Sequence, residues 1–370
     1  MKFEKIKLDD MERCYAASTL SANGKIYAVF ASESIDGPCY AYTGKNFSQK
    51  EVIWEKAGGT MSIIQIPGRD GEFIAVQRFF PGFESAGAKL VWGKRGVSLW
   101  EVKDLVNLPY VHRFDLFRVE DEIHLFAAIL CGSKKDREDW SDPGMILAGK
   151  LPAKPEDGVT FKEIFAGQTK NHGYCRGQWQ GKTAAFWTSE AGVFTALPPE
   201  KKDGQWQITK LIDRPVSDIT LCDLDGCGEN ELVTIEPFHG NQFVVNKKIG
   251  ADSAVHDAAS VTGAPSAAVS VTPAAGAGYE IVWRYPNEID FAHTAVGCNL
   301  LGRPAVVGGI RRKNCELFVL LHEKGKGFYT ELIEEGVGTS NAAVTRIDGR
   351  DIIIAANHTK NEAAVYFVKD

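Results

Sequence analysis

Short apolar segments dominate the hydrophobic pattern of this 370-residue chain. Each segment is rich in β-branched or aromatic residues and is bounded by turn residues, which is the pattern of a β-strand. No helical period extends beyond about two turns. Seven segments of this kind recur along the chain, at 25–32, 72–79, 122–129, 182–189, 230–237, 303–310 and 350–357.

A second series of apolar segments precedes the first, and each member ends in a turn that leads into one of those strands. The second series begins at Cys14, Met61, His112, His172, Ser217, His293 and Asn341. Each repeat therefore predicts an inner strand a, a strand b, a strand c and an outer strand d. A long period of short strands is typical of propeller blades.

The last repeat ends after its strand c, at 363–370, and the missing outer strand is available at 2–8. Pairing of these two segments would remove the open edges that a sheet must otherwise protect. The predicted fold class is all-β. The chain is predicted to form one domain over 1–370, a seven-bladed β-propeller closed by strand 2–8.

One segment breaks the period, at 251–278, where small residues prevail. Side chains this small fill no core layer, so we predict a mobile insertion within the fifth blade. The alternative is an eighth, degenerate blade that uses 267–272.

The composition of the chain limits the classes of partner and the cellular location that we predict. A net charge of −6 argues against nucleic-acid binding, which needs clustered positive charge. No apolar run reaches the roughly 18 residues of a membrane span, and the N-terminus lacks the apolar region of a secretory signal. The eight cysteines form no C-x-x-C pair. We therefore predict reduced thiols and a cytoplasmic location.

The stretch 223–232 reads D-L-D-G-C-G-E-N-E-L and has the spacing of a calcium loop. Asp223, Asp225, Glu229 and Glu231 are weak candidates for oxygen ligands. Cys227 stands where a further ligand is wanted, and a neutral thiol binds calcium poorly. The alternative is a hairpin turn in which the aspartates cap backbone N–H groups.

This motif resembles the FG-GAP or VCBS repeat. With its seven repeats and its histidines at strand starts, the chain is also similar to the propeller domain of aldos-2-ulose dehydratase and to propeller lyases such as oligogalacturonate lyase and ulvan lyase. The resemblance implies a lyase or dehydratase that acts on a sugar with a divalent metal. Apart from the motif, it extends over the architecture of the whole chain rather than over catalytic residues.

In a propeller, the first residues of the a strands surround one mouth of the central channel. Three of the seven predicted positions are histidine: His112, His172 and His293. A strand start needs no histidine for folding, and three imidazoles with an open position are the ligands of a catalytic zinc site. We predict a divalent transition metal there, zinc or manganese. The alternative for each histidine is a hydrogen-bonded core residue.

The b–c loops should line the same mouth and supply further groups. His239 is the predicted general base, and Arg311 and Lys134 would stabilise negative charge. Predicted substrate-binding residues are Arg78, Trp140, Arg312, Asn341 and Asn357. The alternative for the arginines and lysines is solvated loop charge.

Two functions follow from these residues. The first is a metal-dependent lyase, dehydratase or isomerase that acts on a small sugar or sugar acid at the channel mouth. The second is a non-catalytic propeller that binds a carbohydrate or protein partner at the same place, since a fold alone does not imply an enzyme.

Overall fold

The computed structural model describes residues 1–80, 84–249, 264–265, 270–273 and 278–370. Two 3₁₀ helices of three residues each, Lys45–Phe47 and Pro155–Asp157, are the only helices in these ranges. No helix in these ranges is long and apolar enough to cross a membrane.

Strands make up most of the described chain. In order they are β1 (Lys2–Asp10), β2 (Cys14–Ala22), β3 (Lys25–Ser32), β4 (Cys39–Thr43), β5 (Gln49–Trp54), β6 (Ile63–Gln65), β7 (Glu72–Gln77), β8 (Lys89–Arg95), β9 (Trp100–Asn107), β10 (Val111–Val119), β11 (Glu122–Ile129), β12 (Gly144–Lys150), β13 (Phe161–Gln168), β14 (Tyr174–Trp179), β15 (Lys182–Ser189), β16 (Gly192–Leu197), β17 (Gln207–Ile212), β18 (Asp218–Cys222), β19 (Glu231–Glu236), β20 (Gln242–Lys248), β21 (Ala264–Pro265), β22 (Ser270–Pro273), β23 (Tyr279–Arg284), β24 (Asp290–Leu300), β25 (Arg303–Arg312), β26 (Leu317–Glu323), β27 (Gly327–Glu334), β28 (Thr339–Ile347), β29 (Arg350–Asn357) and β30 (Glu362–Lys369).

These strands form seven mainly antiparallel sheets, called blades here and numbered in chain order. Blades one to four begin at β2, β6, β10 and β14, and each takes four consecutive strands. Blade five orders its strands β18-β19-β20-β23, blade six runs from β24 to β27, and blade seven is ordered β28-β29-β30-β1. The seven predicted repeats are confirmed. Strand b of each blade lies where the sequence pattern predicts it.

Several a–b hairpins share one turn, which explains the glycines of the repeat. Leu301 and Gly302 have φ of 53° and 77°, and Asp348 and Gly349 have φ of 51° and 75°. Two consecutive residues with positive φ match the right-handed twist of the flanking strands. Glycine at the second position adopts this conformation without steric cost.

The chain divides into two compact units. Unit 1 comprises 1–111, 152–158 and 289–370, and unit 2 comprises 112–151 and 159–288. Unit 1 contains blades one, two, six and seven, and unit 2 contains blades three, four and five, with β10 beginning at its boundary.

Blade seven of unit 1 joins the two ends of the chain. Strand β1 pairs antiparallel with β30, from Lys2 opposite Lys369 to Asp10 opposite Glu362. The predicted pairing of 2–8 with the last blade is confirmed. It completes blade seven with a fourth strand and covers the outer edge of β30.

The predicted insertion falls mainly outside the described residues. Strands β20 and β23 pair directly, so 249–278 connects strands c and d of blade five. Within it, β21 pairs with β13 of blade three, and β22 pairs in parallel with β17 of blade four. Among the residues that are described, these strands join existing blades and form no eighth sheet.

Candidate functional site

The strand-start histidines of unit 2 are buried and fixed by backbone hydrogen bonds. His112 Nδ1 lies 3.1 Å from the carbonyl oxygen of His172, and His172 Nδ1 lies 3.0 Å from that of Ser217. A carbonyl only accepts, so each Nδ1 carries the proton and donates it. In the neutral ring, the lone pair is therefore on Nε2. Burial, helped by the charge of Arg113, holds the pKa of His112 well below its usual range.

His239 completes this group. The His112 and His172 rings stack with centroids 4.3 Å apart, and His239 Nε2 lies 3.1 Å from His172 Nε2. His239 is held in place by its backbone N–H, which donates to Ser217 Oγ at 2.9 Å. The backbone of His239 has φ of 47°, an uncommon conformation outside glycine. The loop thus turns this imidazole towards His172.

These contacts bear on one expectation from the sequence, namely that a strand start needs no histidine for folding. Instead His112 and His172 are 3% and 2% exposed, and each donates to a carbonyl on the next blade of unit 2. An imidazole here connects neighbouring blades because its Nδ1–H reaches across the gap between their first strands.

The same geometry fits a metal ligand. Metal-binding histidines commonly donate their second ring nitrogen to a backbone carbonyl, which orients the ring. The Nε2 atoms of His172 and His239 are close enough to bind one ion at about 2.0–2.1 Å each. The set predicted from sequence, His112, His172 and His293, stays a prediction.

Next to the histidines, unit 2 carries a partly exposed group that we call the aromatic rim: Lys134, Trp140, Lys170, Phe238 and His239. Trp140 and Phe238 meet edge to face with centroids 5.4 Å apart, and Phe238 stacks on His239 at 4.0 Å. Lys134 Nζ lies 3.4 Å from the Trp140 centroid, and Lys170 Nζ lies 5.4 Å from both the Trp140 and the Phe238 centroids. Two ammonium groups thus face one aromatic pair.

Asp218, the first residue of β18, is a buried carboxyl in unit 2. Burial raises its pKa to about 7, and Arg113 and the backbone N–H groups of Ile219 and Tyr174 offset only part of this rise. One carboxyl oxygen accepts from Ile219 N at 2.9 Å. This carboxyl therefore changes charge near neutral pH.

In unit 1, His293 repeats the arrangement of the other strand-start histidines. His293 Nδ1 donates to the carbonyl oxygen of Ser340 at 2.6 Å, and its Nε2 lies 3.2 Å from the hydroxyl of Tyr15. His293 is 2% exposed. Blades six and seven of unit 1 are connected here by the same imidazole-to-carbonyl bond.

A chain of charged groups runs close to Tyr15. Glu33, which is 3% exposed, accepts from His358 Nε2 at 2.5 Å and from Arg13. Arg311 Nη2 lies 2.8 Å from His358 Nδ1 and 3.0 Å from Nε2. A guanidinium only donates, and Nε2 already faces Glu33, so Nδ1 is the acceptor. The order is therefore Arg311, His358, Glu33, Arg13.

Burial and charge oppose each other in this chain. Burial disfavours ionised Glu33, but the bond from His358 and the charges of Arg311 and Arg13 outweigh it and lower the pKa of Glu33. Burial lowers the pKa of His358, although the bond to Glu33 opposes this shift. The neutral imidazole is therefore favoured. Burial also lowers the pKa of Arg311, although Glu33 opposes the shift. The carboxylate is thus ionised between two guanidinium groups.

A cavity of about 360 Å³ opens beside Arg311. It is lined by Phe291, Arg311, Arg312, His358, Thr359 and Asn361. The Phe291 centroid lies 5.0 Å from Arg311 Cζ and 4.5 Å from Arg312 Cζ. Two residues predicted from the sequence, Arg311 and Arg312, therefore meet at one cavity.

Three other predicted substrate-binding residues lie elsewhere in unit 1. Asn357 is fully buried; its amide accepts from Thr339 and donates to Glu362 and Tyr366, so its role is structural. Asn341 donates to the Tyr15 carbonyl at 2.9 Å. Arg78 is exposed, with φ of 61°.

The calcium-like loop of blade five is held by its own side chains. Asp223 accepts from Gly228 N at 2.9 Å, and Asp225 accepts from Cys227 N at 3.1 Å. Glu231 accepts from Leu224 N at 2.7 Å. This is the capping that the turn alternative predicts.

A lysine supplies positive charge to the same loop. Lys247 forms an ion pair with Asp225 and lies 3.4 Å from Glu231. The ligand atoms of Asp223, Asp225 and Cys227 lie within 4.8 Å of one another, so these three groups are close enough to share an ion. Glu229 is exposed and lies 3.9 Å from Lys248. Calcium binding stays a prediction, with an ammonium group as its competitor.

Sequence reasoning missed Glu33, Tyr15 and His358 as members of a charged cluster. The repeat contains a signal for two of them, because Glu33 directly follows β3 and His358 directly follows β29. Both therefore begin a b–c loop at the same place in neighbouring blades. Tyr15 carries no such signal, since an aromatic residue in an a strand is ordinary.

Comparisons with known proteins bear on the fold. No protein family matches the sequence, and no curated protein matches it. Among solved structures, BBS1N in complex with ARL6DN is 10% identical with a TM-score of 0.55, over 99% of this chain and 95% of that one. The β-propeller domain of Myceliophteria thermophila Cps50 (Swd1) is 9% identical, with a TM-score of 0.52 over 99% and 98%.

A chain of the Mitotic Checkpoint Complex is 10% identical with a TM-score of 0.55, over 99% of this chain and 94% of that one. At such identities the likeness shows the fold alone. That fold is an all-β, seven-bladed β-propeller. Two of these similar chains were solved in complexes with other proteins.

Proposed function

We propose that this chain is a non-catalytic propeller that binds a protein partner through the aromatic rim of unit 2. The observation that supports this is the Trp140–Phe238 pair, partly exposed and flanked by the ammonium groups of Lys134 and Lys170. Aromatic residues are enriched at protein interfaces and dominate their binding energy.

The chemistry of the rim defines the partner. The open side of the aromatic pair would pack against an aliphatic or aromatic side chain of the partner. The two ammonium groups would face a carboxylate beside that side chain, although Lys170 also lies 2.8 Å from Glu190. Burial lowers the pKa of Lys134, so a carboxylate would stabilise its charged form.

Quantitative affinity purification from the native host tests this proposal, followed by titration of the purified partner. We expect Trp140→Ala and Phe238→Ala each to weaken the affinity for the partner at least tenfold, which is about 1.4 kcal/mol of binding free energy. Trp179→Ala is the matched control, because Trp179 is also partly buried in unit 2 but ends β14, away from the rim. Equal binding by the rim variants would contradict the proposal. If the rim variants lose binding of an oligosaccharide and not of a protein, the result would favour a carbohydrate partner.

A second candidate function is a metal-dependent lyase, dehydratase or isomerase. The 3.1 Å approach of His172 Nε2 to His239 Nε2 favours it, together with the carbonyl bonds that orient His112 and His172. A bound divalent metal would polarise a substrate carbonyl or carboxylate. His239 was predicted as a general base, but in the structure its Nε2 faces another imidazole.

Metal content separates the two candidates. Protein purified without chelator, then exposed to zinc or manganese and dialysed, should retain about one ion per chain if the histidines form a metal site. Elemental analysis measures this directly. If the chain retains neither metal, the partner-binding function is the only one of the two candidates that remains.

A further inference from the structure

We propose that the cavity beside Arg311 in unit 1 binds a small monocarboxylate, with Arg311 and Arg312 as its binding residues. The cavity is separate from the aromatic rim, so this proposal does not depend on the function proposed above. At about 360 Å³ it is at the small end of ligand pockets.

The first argument is the unused hydrogen-bonding capacity of Arg311. Its Nη2 donates to His358, and no other guanidinium hydrogen bond of Arg311 forms within the described ranges of the chain. A guanidinium has five N–H donors. Nε and Nη1 therefore remain for a ligand, and two parallel N–H groups match the two oxygens of a carboxylate.

The second argument is that Arg311 is pre-organised. The guanidinium bonds to His358 and packs on Phe291, and the 2.5 Å bond from His358 to Glu33 fixes the imidazole in turn. An arginine that is already ordered loses less entropy when it binds a ligand.

The third argument is the local charge. Three guanidinium groups, those of Arg13, Arg311 and Arg312, face the carboxylates of Glu33 and Asp290, which lies 3.8 Å from Arg312. Two carboxylates for three guanidinium groups leave one positive charge without a counter-charge among the described residues. A monocarboxylate compensates it with one negative charge, whereas a phosphate near pH 7 brings more than one. The Phe291 wall also suits the apolar body of an organic acid.

Saturation-transfer NMR titration of the whole protein with acetate, lactate and benzoate tests the proposal. We expect saturable binding of at least one of these acids. Benzamide, which has the shape of benzoate without its charge, should bind at least tenfold more weakly. Sodium chloride at matched ionic strength should not displace the acid. Inorganic phosphate should compete poorly.

Variants assign the binding to this cavity. Arg311→Gln and Arg312→Gln should each weaken binding of the acid at least tenfold. Arg346 is an exposed arginine paired with Asp351 in the same unit, and Arg346→Gln should not change this affinity. Arg312 is exposed, so its variant tests the site even if Arg311→Gln folds poorly. Absence of saturable binding, or parent-like binding by Arg312→Gln, would overturn the proposal. Tighter binding of phosphate than of every acid would overturn the carboxylate assignment.

Discussion

The Nδ1 nitrogen of His112 donates a hydrogen bond to the carbonyl oxygen of His172, 3.1 Å away on the next blade. The same bond joins His172 to Ser217, and in unit 1 it joins His293 to Ser340. Three histidines within or just before the first strands of their blades therefore hold neighbouring blades together. These hydrogen bonds between blades explain the positions of the histidines without a metal or a catalytic role.

Replacing one of these histidines tests the structural role. Alanine removes the Nδ1–H donor, and the Ser217 carbonyl then keeps only its bond from Thr188 Oγ1 at 2.8 Å. His172→Ala should therefore lower the free energy of unfolding by about 0.5–1.5 kcal/mol. Asparagine branches at Cγ like histidine and offers an N–H near the Nδ1 position. His172→Asn should therefore retain most of the stability, as measured by urea denaturation. An equal decrease in the free energy of unfolding in both variants would contradict a role for the Nδ1–H bond.

The asparagine variant also tests metal binding, together with a variant of His239. His172→Asn keeps the carbonyl bond but lacks Nε2, so it should lose zinc or manganese while it remains stable. His239→Ala should also lose the metal. His322→Asn is the control, because His322 is a partly buried histidine on β26 that packs on Phe328. Metal retained by His172→Asn would exclude Nε2 of this residue as a ligand.

Asp218 should make stability depend on pH. Its pKa is raised from 3.8 to about 7, so the folded state holds a proton that the unfolded state releases. The stabilisation is complete below about pH 4 and is lost as pH rises to about 7. In the parent protein the loss should be on the order of a few kcal/mol.

Asp218→Asn should remove this dependence, while Asp121→Asn, at an exposed position in the same unit, should not. Denaturation at pH 5 and pH 8 gives the comparison. The quantity of interest is the change between the two pH values in each variant, because histidines titrate in the same range. A parallel pH response in the parent and Asp218→Asn would show that another group is responsible.

The blade-five loop should become a calcium site when its ammonium competitor is removed. Cys227→Asp adds an oxygen ligand, and Lys247→Met releases Asp225 and Glu231. We expect the double variant to be stabilised by calcium by about 2.7 kcal/mol when free calcium is 100 times Kd. The parent should respond less, and Cys227→Asp alone should fall between them. A parent response as large as that of the double variant would show a native calcium site.

The long connection in blade five should be dispensable. Ile249 N donates to the Gly278 carbonyl at 2.9 Å, so these residues already close the β20–β23 hairpin. Asn-Gly in place of 250–277 supplies a two-residue turn of the favoured type. We expect a folded protein with a melting temperature within a few degrees of the parent. Failure to fold would show that this segment is an integral part of the structure.

The strands were predictable because their cause is local. Each b strand is a run of apolar residues closed by turn residues, and Gly302 and Gly349 occupy turn positions that require positive φ. The closure by 2–8 followed from counting strands, since the last repeat lacked one. These inferences need only periodicity and turn chemistry.

The sites were less predictable because their causes are not local. The repeat placed His112, His172 and His239 near one another, but a sequence does not show that Nδ1 reaches a carbonyl of the next blade. The Glu33–His358 bond joins residues 325 positions apart. Only the register between blades brings such groups together. Lys247 opposite the aspartate loop was missed for the same reason.

The pairing of β1 with β30 has a consequence for biosynthesis. At roughly 5–20 residues per second, on the order of 20–70 s separates the synthesis of the first strand from that of its partner. Throughout that time β1 has no neighbour in its own blade, and its unpaired backbone is open to other chains. Lys2, Glu4, Lys5 and Lys7 place charge along this strand, which discourages edge-to-edge association. The charged residues of β1 thus protect a strand whose partner is synthesised much later.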